Sequence, residues 1–313
     1  MGFKKFMAAA LTVGMIASFV PSTVMAAKPG WEGNDEDGWY YYTSETEYLK
    51  DTWKQIGSYW YFFDEEGKMA RDSWWSLDDN PGDGIDRKYW YHFDKSGHMN
   101  TNRWIEDIYR NEQGQIVQRD WSFVDRSGKA VTGWNKIGGV WYYFDTYAYM
   151  CCNELAKDTK GDLYYFDSNG RYIRNKWKQV DGDWFYFGSN GIAYKGWHKI
   201  SGKWYYFDDE IGFMYRGWQD IGEKVYCFDN SGAMVTGWYR YELGDGEYVW
   251  LYASSGGELY RNRWLKSNGV WYYFRDNCTM VSGVDNYEIG GKLYDFTASG
   301  ACKNPYSGRP AAA

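Results

Sequence analysis

The sequence predicts an all-β fold: a solenoid of tandem β-hairpins with no separate globular domain. Three observations predict it. Aromatic motifs recur at a fixed spacing, since Trp177, Trp197, Trp218 and Trp238 start successive units 20 or 21 residues apart. Each unit carries two short aromatic runs separated by a Gly-bearing turn, the pattern of a β-hairpin. No stretch sustains the 3.6-residue period of an amphipathic helix. A lone hairpin is at best marginally stable in water, so each one has to bury its face against its neighbours.

The unit is clearest at Gly196 to Trp218, GWHKISGKWYYFDDEIGFMYRGW. Gly-Trp opens it, Ser201-Gly202 marks the hairpin turn, and WYYFD forms the return strand. A second Gly-containing turn leads to Met214 and the next Gly-Trp. Composition fits such an array. The 313 residues are 44% hydrophobic but 22% aromatic, with 20 Trp and 32 Tyr, far from the Leu, Ile and Val core of ordinary domains. Tyr and Trp bury large areas while keeping a polar edge, so such a core leaves rings available to a ligand.

Residues 1–26 read as a secretory signal: Lys4 and Lys5, an apolar run from Phe6 to Val20, and Val24-Met25-Ala26 for cleavage before Ala27. No second apolar run provides a membrane span. Without the two signal lysines, 33 basic face 42 acidic residues, which argues against nucleic acid and suits a cationic ligand. Residues 27–38 form a polar lead-in, and an incomplete unit follows at Trp39-Tyr40-Tyr41-Tyr42. The array spans 39–302, with turn-rich insertions after Trp74, Trp104 and Trp238 and a blurred stretch from Tyr147 to Lys160, where Leu155 stands near an initial Trp, followed by Leu163 in place of a second one. In the last unit Val284 replaces Trp, and residues 303–313 read as a disordered tail. The five cysteines match no zinc spacing and read as small hydrophobes at repeat positions, a Cys278–Cys302 disulfide staying open.

The motif GW…G-x-WYYFD-x-x-G-x-M…GW, recurring in register, resembles the choline-binding (cell-wall-binding) repeats of Gram-positive bacteria and their phages. The resemblance implies a left-handed superhelix of hairpins and a protein secreted and held non-covalently at the bacterial wall. Its implied partner is a choline-bearing polymer, teichoic or lipoteichoic acid. It also implies sites between consecutive hairpins, each lined by two aromatics of one unit and one of the next, with a Met helping to close it. A quaternary ammonium makes no strong hydrogen bonds and gains most from electron-rich ring faces.

Carried onto this sequence, five triads qualify: Trp53, Trp60 and Trp90; Trp74, Trp90 and Trp121; Trp104, Trp121 and Trp141; Trp177, Trp184 and Trp204; Trp238, Trp250 and Trp271. Met69, Met99 and Met280 occupy the Met position, and Trp31, Trp39 and Trp60 make a sixth group. Leu163 is expected to spoil the site at Trp134, Val225 those at Trp197 and Trp218, and Leu293 the one at Trp264. The alternative for each of these tryptophans is solenoid core packing alone.

Catalysis is not expected. The three histidines are scattered, each recurring Asp closes a strand before a turn, and no nucleophile elbow, zinc helix or P-loop is present. No cofactor and no metal are called for. The competing reading is a carbohydrate-binding or adhesin repeat protein whose rings stack on sugars, with a glucan or a host surface molecule as partner.

Overall fold

The computed structural model describes residues 29–78 and 87–306, with the backbone of 309–310. The expected signal, 1–26, and most of the insertion after Trp74 lie outside the described residues. Strand follows strand as antiparallel hairpins: β1 (Gly30–Asn34) with β2 (Gly38–Tyr42), β3 (Thr52–Ile56) with β4 (Tyr59–Phe63), β5 (Ser73–Asp78) with β6 (Lys88–Phe93), β7 (Arg103–Arg110) with β8 (Ile116–Val124), β9 (Gly133–Ile137) with β10 (Val140–Phe144), and β11 (Glu154–Lys157) with β12 (Leu163–Phe166). These belong to a compact unit that ends at Ile173. A second unit starts at Arg174. It holds β13 (Lys176–Val180) with β14 (Asp183–Phe187), β15 (Gly196–Ile200) with β16 (Lys203–Phe207), β17 (Gly217–Ile221) with β18 (Lys224–Phe228), β19 (Gly237–Gly244) with β20 (Glu247–Ala253), β21 (Arg263–Ser267) with β22 (Val270–Phe274), and β23 (Tyr287–Ile289) with β24 (Lys292–Tyr294) and β25 (Arg309–Pro310). Among the described residues no helix is long and apolar enough to cross a membrane.

The local sequence explains the repeat. In β15–β16, Ile200 pairs with Lys203 across Ser201 and Gly202, whose φ values of 49° and 83° are those of a tight two-residue hairpin turn. After the return strand, Asp64 Oδ1 accepts from the amides of Glu66 (3.0 Å) and Lys68 (2.8 Å), and Asp94, Asp125, Asp145, Asp167 and Asp229 repeat this turn. The chain then returns beside its own Phe, as in the Phe207–Met214 bridge, and the Met214 amide donates to the carbonyl of Trp184 in the preceding hairpin at 2.7 Å. Met99 to Trp60 (2.9 Å) and Met280 to Trp250 (2.8 Å) repeat this inter-hairpin bond.

The core is the phenylalanine that closes most of the return runs, with Val124 and Ala253 in that place in β8 and β20. Phe63, Phe93, Phe144, Phe166, Phe187, Phe207, Phe228, Phe274 and Phe296 are all buried. Each contributes about 2–3 kcal/mol of apolar burial. The Met of one repeat packs against the turn glycine of the next: a Cβ added at Gly128 would sit 2.6 Å from Met99 Sδ. Ala148 and Cys278, both at φ 64°, stand where most of these turns have the glycine. In the repeats before them the Met position holds Ala130 and Leu259.

Several expectations need correction. The stretch 27–38 is not a mere lead-in to an incomplete unit: β1 pairs with β2, and Trp31 takes the Gly-Trp position. Its polar run forms the turn, where Asn34 Oδ1 accepts from the amides of Glu36 (2.8 Å) and Asp37 (2.7 Å). The tail is not simply disordered, because β25 adds to β24 through Leu293–Arg309 and Lys292–Pro310, covering a free edge of the short last hairpin. The insertions after Trp104 and Trp238 lengthen their hairpins, β7 and β8 running to eight and nine residues and β19 and β20 to eight and seven. Cys278 and Cys302 are not joined, and burial pushes the Cys227 thiol up to about 12.

Candidate functional site: aromatic cages between hairpins

Strand parity decides which rings meet. In β15–β16, Trp197 pairs with Tyr206 and Lys199 with Trp204, so Trp197, Trp204 and Tyr206 share one face while Tyr205 and Phe207 share the other. The first face meets the following hairpin, with Trp197 centred 4.8 Å from Tyr226 and 5.7 Å from Phe228. The second meets the preceding hairpin, with Trp177 centred 5.0 Å from Tyr205 and 5.7 Å from Phe207. A cage therefore takes both tryptophans of one hairpin and the tyrosine that follows the second tryptophan of the next.

This regroups the expected residues. Trp177 and Trp184 do meet, 6.5 Å apart and nearly perpendicular, but their third ring is Tyr205, and Trp204 belongs with Trp197 at 6.4 Å. Met214 completes a cavity of about 430 Å³ there, with Arg216, Asn230 and Ser231 at its rim. Trp53 and Trp60 line a cavity of about 480 Å³ with Tyr91 and Met99, not with Trp90, and Ser127 and Lys129 form its rim. Trp104 lies 6.4 Å from Trp121 and 5.0 Å from Tyr142, whereas Trp141 shares a hairpin face with Trp134. Trp238 lies 6.3 Å from Trp250 and 4.8 Å from Tyr272, with Met280 bonded to the Trp250 carbonyl, and Trp271 pairs with Trp264 at 6.2 Å. Met69 belongs to the group of Trp31, Trp39 and Tyr61, where Trp31 lies 4.9 Å from Tyr61.

The expected triad of Trp74, Trp90 and Trp121 is not assembled. Ser122 stands where the tyrosine should be, its Oγ buried without a hydrogen-bond partner, and Trp121 is turned to Trp104. The Trp74 indole N–H instead donates to Asp107 Oδ2 at 3.1 Å, and burial pushes the Asp107 carboxyl up from the usual range.

Parity also restores groups that single substitutions were expected to spoil. Val225 does not interrupt the Trp197 group, whose third ring is Tyr226. It belongs to the next interface, where Trp218 packs on an aliphatic cluster with Leu251 and Leu259. Tyr294 lies 5.0 Å from Trp264, so Leu293 leaves that triad whole, with Cys302 at the Met position. Tyr164 and Tyr172 lie 4.9 and 5.3 Å from Trp134, making that group wholly aromatic. Sequence reasoning missed Tyr91, Tyr142, Tyr205, Tyr226, Tyr272 and Met214, together with Met150 and Met234, whose amides donate to the carbonyls of Trp121 (2.7 Å) and Trp204 (2.8 Å). The signal that finds them is the face of the strand rather than the residue type.

The arrangement offers ring faces and a thioether to a compact apolar cation. Among the described residues no three His, Cys, Asp or Glu side chains cluster as metal ligands.

Comparison with known proteins identifies the repeats. A choline-binding repeat family model matches residues 131–177 and 175–216, and a cell wall binding repeat model matches 51–69, 85–99 and 262–277. Choline binding protein F of Streptococcus pneumoniae, crystallised in the presence of a peptidoglycan analogue, is similar in structure at 26% identity and a TM-score of 0.61, covering 88% of this chain and 99% of that one. CbpJ of Streptococcus pneumoniae, at 24% identity, shares the fold with a TM-score of 0.62 over 87% of this chain and 100% of its own. Glucosyltransferase-S of Streptococcus downei is 32% identical over 83 residues, 24% of this chain but 6% of that enzyme. The chain thus spans a small part of the curated relatives it matches.

Proposed function

We propose that this chain, a choline-binding (cell-wall-binding) repeat protein, is a non-catalytic surface protein that grips choline groups of teichoic or lipoteichoic acid, or of a similar wall polymer. The observation that carries the reading is the cavity of Trp177, Trp184, Tyr205 and Met214. Each ring face contributes about 0.5–2 kcal/mol to a methylated cation, more as water is excluded. One such cage is weak. Several along one chain give avidity to a polymer that presents choline repeatedly. Arg216 and Lys129 at two rims suit a polymer whose backbone is anionic. The recurring aspartates are engaged by turn amides, which supports a binding rather than a catalytic role.

A glucan-binding reading draws on the glucosyltransferase relative, and it predicts a different titration. The test is calorimetry of the mature chain with choline, and with dextran in parallel. Millimolar choline binding, weakened by Trp177→Ala and by Tyr205→Ala with the fold intact, is the expected result. Saturable heat with dextran and none with choline would overturn it.

A further inference from the structure

A second cavity backs onto the Trp53 cage. It has a volume of about 370 Å³ and shares Trp60 and Met99 with that cage, but the rest of its wall is Ser58, Tyr59, Asp94, His98, Asn100, Thr101 and Arg103. We infer that this cleft is a saccharide subsite, so that Trp60 separates a pocket for a sugar ring from a pocket for a quaternary ammonium.

Ring faces and hydrogen-bonding groups occur together here, which is what a sugar needs. Tyr59 and Trp60 are 51% and 43% exposed, enough to offer flat faces to the C–H side of a pyranose. Around them Arg103 supplies donors only, Asp94 acceptors only, Ser58 and Thr101 both, and His98 the one ring nitrogen that Asp94 does not hold, matching hydroxyls that donate and accept. The polar wall is held in place. Tyr59 stacks on His98 at 3.8 Å and 16°, and His98 Nδ1 lies 3.2 Å from Asp94 Oδ2. Arg103 Nη1 donates to Asn100 Oδ1 at 3.0 Å, while Asn100 Nδ2 lies 2.6 Å from His92 Nδ1. Such a preset wall lowers the ordering cost of a weak ligand.

Other ligands fit less well. A bare methylated cation would leave the donors and acceptors of this wall unmatched, and an apolar ligand would strip water from it without replacing it. The size is at the small end of ligand clefts, which run from about 300 to 1,000 Å³, and suits one ring rather than a chain. Tyr89 holds the equivalent position in the next hairpin, but Lys129 Nζ lies 3.8 Å over its ring. That a single sugar carrying choline fills both pockets rests on the cage reading above. The subsite itself does not.

The chain has three histidines, so the His98 Cε1–H signal in carbon-resolved NMR is assignable with His98→Gln. The mature chain is titrated with isomaltotriose, with tri-N-acetylchitotriose and with choline. The expected result is a saturable millimolar shift of the His98 signal with at least one of the saccharides, still present in saturating choline. Joint Thr101→Ala and Arg103→Ala substitution should weaken it more than tenfold, and Trp53→Ala should remove choline from the cage but leave the saccharide shift. If choline binds but neither saccharide moves His98, the subsite is wrong and the cage stands. If a saccharide moves His98 and choline binds nowhere, the subsite stands and the cage reading fails. A shift that survives the double substitution overturns the subsite.

Discussion

The indole of Trp177 and the phenol ring of Tyr205 lie 5.0 Å apart with planes inclined by 63°, and they come from consecutive hairpins. Neither hairpin holds a cage by itself. The ring group forms only at the junction, where the two-tryptophan face of one repeat meets the tyrosine face of the next.

Tyr205→Ala should therefore weaken choline at the Trp177 cage, whereas Trp204→Ala should spare it and weaken the Trp197 cage. Loss of one ring, about 0.5–2 kcal/mol, corresponds to roughly 2- to 30-fold in affinity. Fluorine NMR of 5-fluorotryptophan-labelled protein reads Trp177 and Trp197 separately. The opposite pairing of losses would restore the Trp204 triad.

Gly128→Ala should destabilise the array by about 2 kcal/mol, because its φ of 86° is left-handed and the new methyl would meet Met99 Sδ. Adding Met99→Ala should relieve the steric part only. Urea unfolding measures both, and full recovery in the double variant would show that the backbone conformation is not strained.

Ser122→Tyr should create a cage. It supplies the missing third ring beside Trp74 and Trp90 and removes a buried hydroxyl that has no partner. Titration should then count one additional choline per chain. An unchanged stoichiometry in a folded variant would mean that the Trp74 indole is held by Asp107 too firmly to serve.

Stability should fall as pH drops through about 6.5, the ordinary histidine value. Burial holds His92 below that value, as it does His198, so the unfolded chain binds the extra proton first. Melting temperatures between pH 7.5 and 5.5 test this, and His92→Gln should flatten the slope. A slope unaltered in that variant would place the sensitivity elsewhere.

Much of the fold was legible because WYYFD recurs in register with Gly-Trp and the turn glycine, which sets one hairpin per unit from the sequence alone. The ring groups between hairpins were legible to within one residue. Matching Trp to Trp selects the wrong face, whereas counting alternation along the strand leads to Tyr205. The first hairpin was hidden because Gly30-Trp31 is followed by a polar run that reads as loop, and the return of Arg309–Pro310 depends on an edge that exists only once β24 is folded. The polar cleft beside Trp60 could not be read at all, since it joins Ser58 to Arg103 across two repeats.

The packing of each Met on the following turn glycine makes the order of repeats a grammar. Met69, Met99, Met150, Met214, Met234 and Met280 are each followed by a repeat with Gly at the contact, whereas Ala130 and Leu259 precede Ala148 and Cys278. A gene rearrangement that set Ala148 or Cys278 after a methionine repeat would put side chain against side chain at the joint. Duplication and deletion in such an array are thus free only between repeats whose joints agree, and the number of cages can drift while the permitted neighbours are inherited.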